Sequence, residues 1–313
     1  MTSNTATAPD IKAKKRSARP SAFKLLARNQ LALMGAAILA LVIALVLITP
    51  ILPLPDPDVT DPAQRLLPPF SEGHFLGTDH LGRDLLSRLL WGTRVSLAVG
   101  ISASLVAALF GSTIGIVSGY FGGRLDALFM RLTDGVIALP LLPLLIVLAA
   151  IDLQKLGFSA EAAQAENMSL YRIVAIVALV GWTTVARLVR ATALSLRERP
   201  FVLAARAQGA SSCRIMTVHI LPNLASPIIV ATTLSVGNVI LLESVLSFLG
   251  LGIQPPLPSW GNLLTNAQEL IWDAPALAVY PGLAIFVTVI AFNFVGDGLQ
   301  DALDPRSLER GKR

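Results

Sequence analysis

Residues 31–52 read LALMGAAILALVIALVLITPIL, twenty-two positions without a charged side chain. A bilayer core is about 30 Å thick and a helix rises about 1.5 Å per residue, so roughly 20 apolar residues cross it. The run is therefore a membrane span, and the rest of the chain agrees. Of 313 residues 54% are hydrophobic and 14% charged, against roughly 25% charged in a soluble domain. That balance excludes a water-soluble globule and, being apolar, also excludes a disordered chain. A basic stretch precedes the run as in a secretory signal, but such signals carry only about 7–15 apolar residues. The following Thr49-Pro50-Ile51-Leu52-Pro53-Leu54-Pro55 also offers no small-x-small cleavage site. The reading is an anchor that stays.

Five more charge-free intervals follow. Twenty-nine residues separate Arg94 from Arg124, 28 separate Arg214 from Glu243, and 23 separate Asp273 from Asp297. Each is long enough to cross. Gly135 to Ile151 is shorter, 17 residues with Pro140 and Pro143, and reads as a bent third helix. Only 14 uncharged residues, Ile173 to Ala186, lie between Arg172 and Arg187, so a fourth span needs its flanking arginines to reach the interfaces. The fold class is an all-α integral membrane protein with six transmembrane helices.

Basic residues near spans stay on the cytoplasmic side. With the N-terminus inside, 19 of the 25 Lys and Arg fall in the N-terminal tail, two inner connections and the C-terminal tail. The other six (Arg65, Arg83, Arg88, Arg94, Lys155, Arg172) lie outside among eleven acidic residues. Both termini are thus expected in the cytoplasm. The net charge of +5 is explained by topology and anionic lipid, with no nucleic acid as partner.

Three connections carry specific composition. The outer one before span two ends in Leu76-Gly77-Thr78-Asp79-His80-Leu81-Gly82-Arg83-Asp84. Thr78 or Asp79 can cap a short amphipathic interfacial helix whose apolar positions are Leu85, Leu86, Leu89 and Leu90. Arg83 and Asp84 either fix this loop by ion pairing or meet a substrate. The inner one, Arg187 to Pro222, holds strong helix formers in Phe201 to Gln208, a stop at Gly209, and a second helical piece from Ser211 or Ser212. Ala204, Ala205 and Ala207 let a partner protein approach the backbone, and Arg206 and Arg214 give charged fixing points. His219-Ile220-Leu221-Pro222-Asn223 then turns the chain into span five; His219 either holds the loop by hydrogen bonds or acts as a pH switch. The third, Gly250 to Asn262, has three Pro and three Gly and is expected as a rigid outer re-entry loop, with Trp260 suited to the interface belt.

No nucleophile–base set, phosphate-cradling glycine loop or metal-ligand spacing is present. The one cysteine, Cys213, and the scattered His74, His80 and His219 point to no metal or thiol chemistry. Glu243 and Asp297 are the carboxylates within hydrophobic surroundings, where an ionised group at mid-membrane costs about 2.5–3.5 kcal/mol. Glu243 either lines a pathway or gate, or bonds the Gly250–Gly252 backbone; capping contacts near Gly296 and Gly298 suit Asp297.

Ala204-Ala205-Arg206-Ala207-Gln208-Gly209-Ala210-Ser211 with His219-Ile220-Leu221-Pro222-Asn223 resembles the cytoplasmic EAA loop of ABC importer permeases. The Leu76–Asp84 motif, Leu249 to Pro256 with Pro258 to Asn262, and Gly296 to Arg306 narrow the resemblance. They look like the second, C-type permease of the dipeptide/oligopeptide/nickel importer family, over about residues 21–308. Leu203 stands where many permeases have Glu, which leaves a Glu-mediated salt bridge to the ATPase without its carboxylate.

The resemblance implies a type I ABC importer permease fold with a cytoplasmic coupling helix, in the bacterial inner membrane and without catalytic residues. It implies four divisions: a disordered cytoplasmic tail (1–22), an anchor helix with an extracytoplasmic loop (23–93), a permease core (94–300) with the coupling loop 199–223, and a tail (301–313). Partners would be a homologous second permease, two cytoplasmic ATPases that hold ATP and Mg, and an extracytoplasmic substrate-binding protein; no cofactor would be bound by this chain. ATPase coupling would fall to Ala204, Ala205, Arg206, Gly209, Ala210, His219 and Pro222, while Asp79, Arg83, Asp84, Gln254 and Trp260 would face the binding protein. Nickel, glutathione or oligosaccharide importers share the pattern. An ion-coupled transporter or channel acting without an ATPase, or a membrane scaffold without transport, is the alternative from another class.

Overall fold

The structure, a computed structural model, describes Leu26, residues 29–165 and residues 167–303. The tail expected over 1–22 and the chain from Asp304 onward lie outside the described residues. The main helices are α1 (Gln30–Ile48), α2 (Leu85–Phe121), α3 (Gly123–Ala138), α4 (Leu141–Ala149), α5 (Met168–Arg197), α6 (Pro200–Ala207), α7 (Leu221–Phe248), α8 (Trp260–Leu263) and α9 (Ala276–Leu303). Helices α1, α2, α5, α7 and α9 are long and apolar enough to cross a membrane, α7 together with the helical residues leading into it from Ser212. The pair α3 and α4 passes the same test only jointly and is bent by 88°. The described residues thus carry five long spans and one broken pair.

Local chemistry accounts for these boundaries. Asn29 caps α1, its Oδ1 accepting the N–H groups of Leu31 and Ala32 at 3.1 and 3.2 Å. Most of α1 is exposed, as a helix facing lipid should be, and its other side lies on α9. The Asp84 carboxylate accepts the Ser87 N–H at 2.7 Å and starts α2. Leu85 to Leu90 are therefore the first turns of one 37-residue helix. The separate interfacial helix expected there, capped by Thr78 or Asp79, does not form, because no residue between Asp84 and Phe121 breaks the helical ladder.

Span three differs from its expected single bend. Leu139 and Pro140 are both extended, with ψ of 139° and 119°. The apolar piece beyond them is only nine residues long, about 13 Å of helix and less than half a bilayer. Helix α3 is amphipathic, exposing Leu125, Leu128 and Leu132 and turning Asp126 and Asp134 towards α5. Span four is correspondingly longer than its uncharged interval. It runs through Arg187 and Arg190 because both are paired: Arg190 Nη2 donates to Asp126 Oδ2 at 2.6 Å, and Arg187 bonds Asp134. Nor does the chain turn at residues 219–223. A π-helix over Ile215–Ile220 leads directly into α7, with the Leu221 N–H reaching the Met216 carbonyl and Asn223 Nδ2 donating to the His219 carbonyl at 2.8 Å. Pro222, which has no N–H to donate, sits in the first turn of α7 just beyond the π segment.

The closest packing joins α2 to α5. A Cβ on Gly111, Gly115 or Gly119 would stand 2.5, 2.6 and 2.8 Å from the carbonyl oxygens of Trp182, Ala186 and Arg190. The spacing of four puts the three glycines on one face. Two apolar clusters flank the contact. One, beside α6, gathers Ile116, Tyr120, Val185, Val189, Val202 and Ile215; the other, beside α4, gathers Val99, Ala103, Leu145, Ile173, Val177 and Leu246.

Gly115→Leu should force the two backbones apart, an overpacking cost of about 1–3 kcal/mol or more. Gly135→Leu on α3, where nothing lies within 4 Å, should be tolerated. Thermal denaturation of the two variants in detergent, compared with the parent chain, checks the contrast.

Candidate functional site

Two constructions stand out, one at each end of the bundle. At the elbow end, α5 stops at Arg197 and α6 begins at Pro200, a residue suited to a first helical turn. Gly209, at φ +80°, ends α6, and the Ala210 N–H returns to the Ala205 carbonyl at 3.1 Å. This left-handed helix stop is open to glycine and strained for a β-branched residue. Ser211 then restarts the helix by accepting the Arg214 N–H.

The elbow has an inner and an outer face. Val202 and Ala205 pack among Tyr120, Val189, Ala193, Ile215 and Leu224. The Arg206 guanidinium lies 5.4 Å from the centre of the Tyr120 ring, and the Tyr120 hydroxyl donates to Ser212 Oγ at 3.4 Å. Phe201, Leu203, Ala204, Arg206, Ala207 and Gly209 are exposed. Of the residues expected to meet a partner, Ala204, Arg206, Gly209 and Pro222 are thus open, Ala210 and His219 are half-buried, and Ala205 faces the chain's own core. Ala205 is inward because it follows Val202 by three positions on the same helix face. Sequence reading missed Tyr120, the platform for Arg206; the signal was an aromatic pair, Tyr120-Phe121, ending the longest helix.

At the opposite end, Glu243 of α7 is wholly buried. Its Oε2 accepts from Ser96 Oγ of α2 at 3.2 Å and its Oε1 from Ser247 Oγ at 2.7 Å. Each serine in turn accepts a backbone N–H of the 250–263 loop: Ser247 that of Ile253 at 3.0 Å, Ser96 that of Trp260 at 3.1 Å. Glu243 therefore reaches the loop through hydroxyls and not directly through Gly250–Gly252. The loop contains a helical turn, α8, closed by a capping box between Ser259 and Asn262, although its Pro and Gly content pointed to no helix at all. Asp297 lies exposed within α9.

The Leu76–Asp84 segment folds on itself. Asp79 accepts from Arg83 Nε at 2.7 Å and from the Leu81 and Arg83 N–H groups. His74 joins Asp84 to Gln64, at 2.9 and 2.6 Å. Arg88 is buried, and its Nη1 donates to the Pro57 carbonyl at 3.0 Å. Burial pushes the His80 imidazole below its ordinary value, outweighing neighbouring Asp79. Of the five residues expected on the outer face, Asp79, Asp84 and Trp260 are buried, Arg83 is half-buried, and Gln254 is exposed. Trp260 does not sit in an interface belt: it packs with Leu85, Leu97 and Ile240, and its indole N–H donates to the Leu89 carbonyl at 3.3 Å. The exposed tryptophan of this end is Trp272, at 93%. Among the described residues no group of three or more His, Cys, Asp or Glu side chains could hold a metal ion.

Comparison with known proteins fits this architecture. The family model described as "Binding-protein-dependent transport system inner membrane component" matches residues 111–309, and the "N-terminal TM domain of oligopeptide transport permease C" matches residues 21–69. The chain belongs to the family of binding-protein-dependent transport system inner membrane components. It is 41% identical over 285 residues to the dipeptide transport system permease protein DppC of Alkalihalophilus pseudofirmus, covering 91% of this chain and 89% of that one. It is 42% identical over 236 residues to the glutathione transport system permease protein GsiD of Pectobacterium atrosepticum, covering 75% and 74%. A chain of the MetNI methionine ABC transporter, solved in inward-facing conformations, shares the fold with a TM-score of 0.54 at 17% identity, covering 69% of this chain and 97% of that one.

Glu243→Ala should strand the Ser96 and Ser247 hydroxyls, at a cost of about 1–3 kcal/mol, and loosen the 250–263 loop. Faster limited proteolysis within that loop, with Glu243→Gln closer to the parent chain, is the expected result.

Proposed function

We propose that this chain is one of two permease subunits of an ATP-driven importer for dipeptides or oligopeptides, which an extracytoplasmic binding protein delivers. A homologous permease completes the pathway, and two cytoplasmic ATPases, holding ATP and Mg, grip the elbow of each. The chain itself catalyses nothing and binds no cofactor. It sits in the bacterial inner membrane with both termini, and the elbow, in the cytoplasm.

The observation that carries this reading is the elbow. Its inner face is part of the bundle core, through Val202, Ala205 and Tyr120, so α6 cannot move without carrying the ends of α2 and α5. Its outer face offers Ala204, Ala207 and Gly209 for close approach and Arg206 and Arg214 as charged fixing points. With Leu203 at the motif's first position, the grip depends on shape and on these arginines. Peptide cargo is supported by relatives 36–42% identical whose names specify dipeptide, oligopeptide and glutathione, itself a peptide, as cargo. Full burial of Glu243 among serine hydroxyls supports a bracing role and not a pathway lining.

Two experiments test the reading. Gly209→Val places a β-branched residue at φ +80° and should abolish ATP-coupled peptide uptake in proteoliposomes while leaving membrane insertion intact; unchanged uptake refutes coupling through the elbow. Cys213, the chain's one cysteine, is exposed on the elbow. A membrane-impermeant maleimide should label it in inside-out vesicles and not in intact spheroplasts, and the reverse pattern would overturn the orientation.

A further inference from the structure

At the loop end, beside the start of α5, lies a cavity of about 410 Å³, bounded by Gln164, Ser169, Arg172, Gln254, Pro255 and Pro256 among others. That volume lies within the roughly 300–1,000 Å³ of small-molecule sites. Its polar groups are unbalanced. Arg172 is its one cationic lining residue, and no carboxylate is among the described residues that line it. The Arg172 guanidinium makes a single long hydrogen bond, from Nη2 to the Leu251 carbonyl at 3.4 Å, and its buried Nε has no partner. Ser169, buried to more than nine-tenths, has an equally unpartnered hydroxyl. Helix α5 also begins without a side-chain cap and without an acidic residue in its first turn. Buried donors without acceptors are destabilising, and the start of a 30-residue helix carries positive partial charge.

We propose that this cavity is a carboxylate-binding site, in which the Arg172 guanidinium holds the anion and Ser169 with the start of α5 completes its hydrogen bonding. The contrast within the chain supports this. The other described arginines that are buried or half-buried, Arg83, Arg88, Arg190 and Arg197, each face a carboxylate of the same chain, whereas Arg172 has none among the described residues. A guanidinium suits the task because its planar donor fork matches a carboxylate. Two sources supply that group at this end: the free C-terminus of a small peptide, or an acidic side chain of a delivering protein. The peptide source rests on the proposed import of peptides; the anion site itself does not.

The test introduces Gln164→Cys in a Cys213→Ser background, within the assembled transporter in nanodiscs. The rates of modification by a negatively and a positively charged methanethiosulfonate are compared. Arg172 should favour the anionic reagent about fivefold or more; Arg172→Gln should remove that preference and Arg172→Lys retain most of it. Dialanine at millimolar concentration should slow anionic modification where dialanine amide does not, if the peptide is the source; purified substrate-binding protein should do so alone if the acid belongs to it. A reagent preference unchanged by Arg172→Gln, or protection by neither probe, overturns the site. Because the readout needs no ATP, it stands or falls separately from coupled uptake.

Discussion

Everything in this bundle hangs from the contact in which three glycines of α2 meet the backbone of α5. Within lipid no hydrophobic effect draws helices together, so association rests on van der Waals packing and interhelical hydrogen bonds, and small residues let backbones close up. Gly111, Gly115 and Gly119 achieve this over nine residues, each with a carbonyl of α5 within 2.8 Å of where a Cβ would sit. Valines 185 and 189 fill the flanks. The pair is thereby locked at its elbow half, and both helices reach from the elbow to the loop end. Helix α7 then adds itself to this pair through Gly100, beside which Ile240 lies, and through the Glu243–Ser96 bond.

Charge is handled differently at the two ends. Near the elbow, Arg187 and Arg190 of α5 are neutralised by aspartates of α3, with Ser118 of α2 joining Asp126. These pairs are half-exposed, where an ion pair is worth about 0–1 kcal/mol; their effect is to let a charged helix remain continuous. Near the loops, a buried carboxylate is held by hydroxyls alone. Exchanging a salt bridge for hydroxyls ties Glu243 to two backbone N–H groups of the 250–263 loop at one remove, which fixes the loop's position more closely than a single charge contact could.

Sequence pattern revealed four spans because each needs only an uninterrupted apolar run, and it revealed the elbow because Gly209 must end a strong helix and Ser211 can restart one. It failed where the deciding partner is distant along the chain. The length of α5 depends on Asp126 and Asp134, some 60 residues earlier, so charges that looked like span boundaries are interior. Trp260 is buried because Ser96 and Leu89, over 160 residues away, supply its hydrogen-bond acceptors. Ala205 was grouped with Ala204 by composition, while the helix turns about 100° between the two, leaving Ala204 exposed and Ala205 buried. The glycine stripe of α2 stood in plain view at positions 111, 115 and 119, yet its meaning required knowing what lies against it.

The helices leaving the elbow differ in stiffness, and this decides where a force applied to α6 would travel. Helix α7 is entered through a π segment and carries Pro222 and Pro227, features that bend helices and weaken their ladders. Helix α5 has no proline, one glycine, Gly181, and a rigid neighbour along its inner half. A displacement of the elbow is therefore passed by α5 and α2 as one body, while α7 flexes near its elbow end. At the far end that body carries Ser96, which accepts the Trp260 N–H, so the 250–263 loop must follow α2 or break that bond. Mechanical connection between the elbow and the opposite end thus runs through the glycine contact, and α7 accommodates the difference.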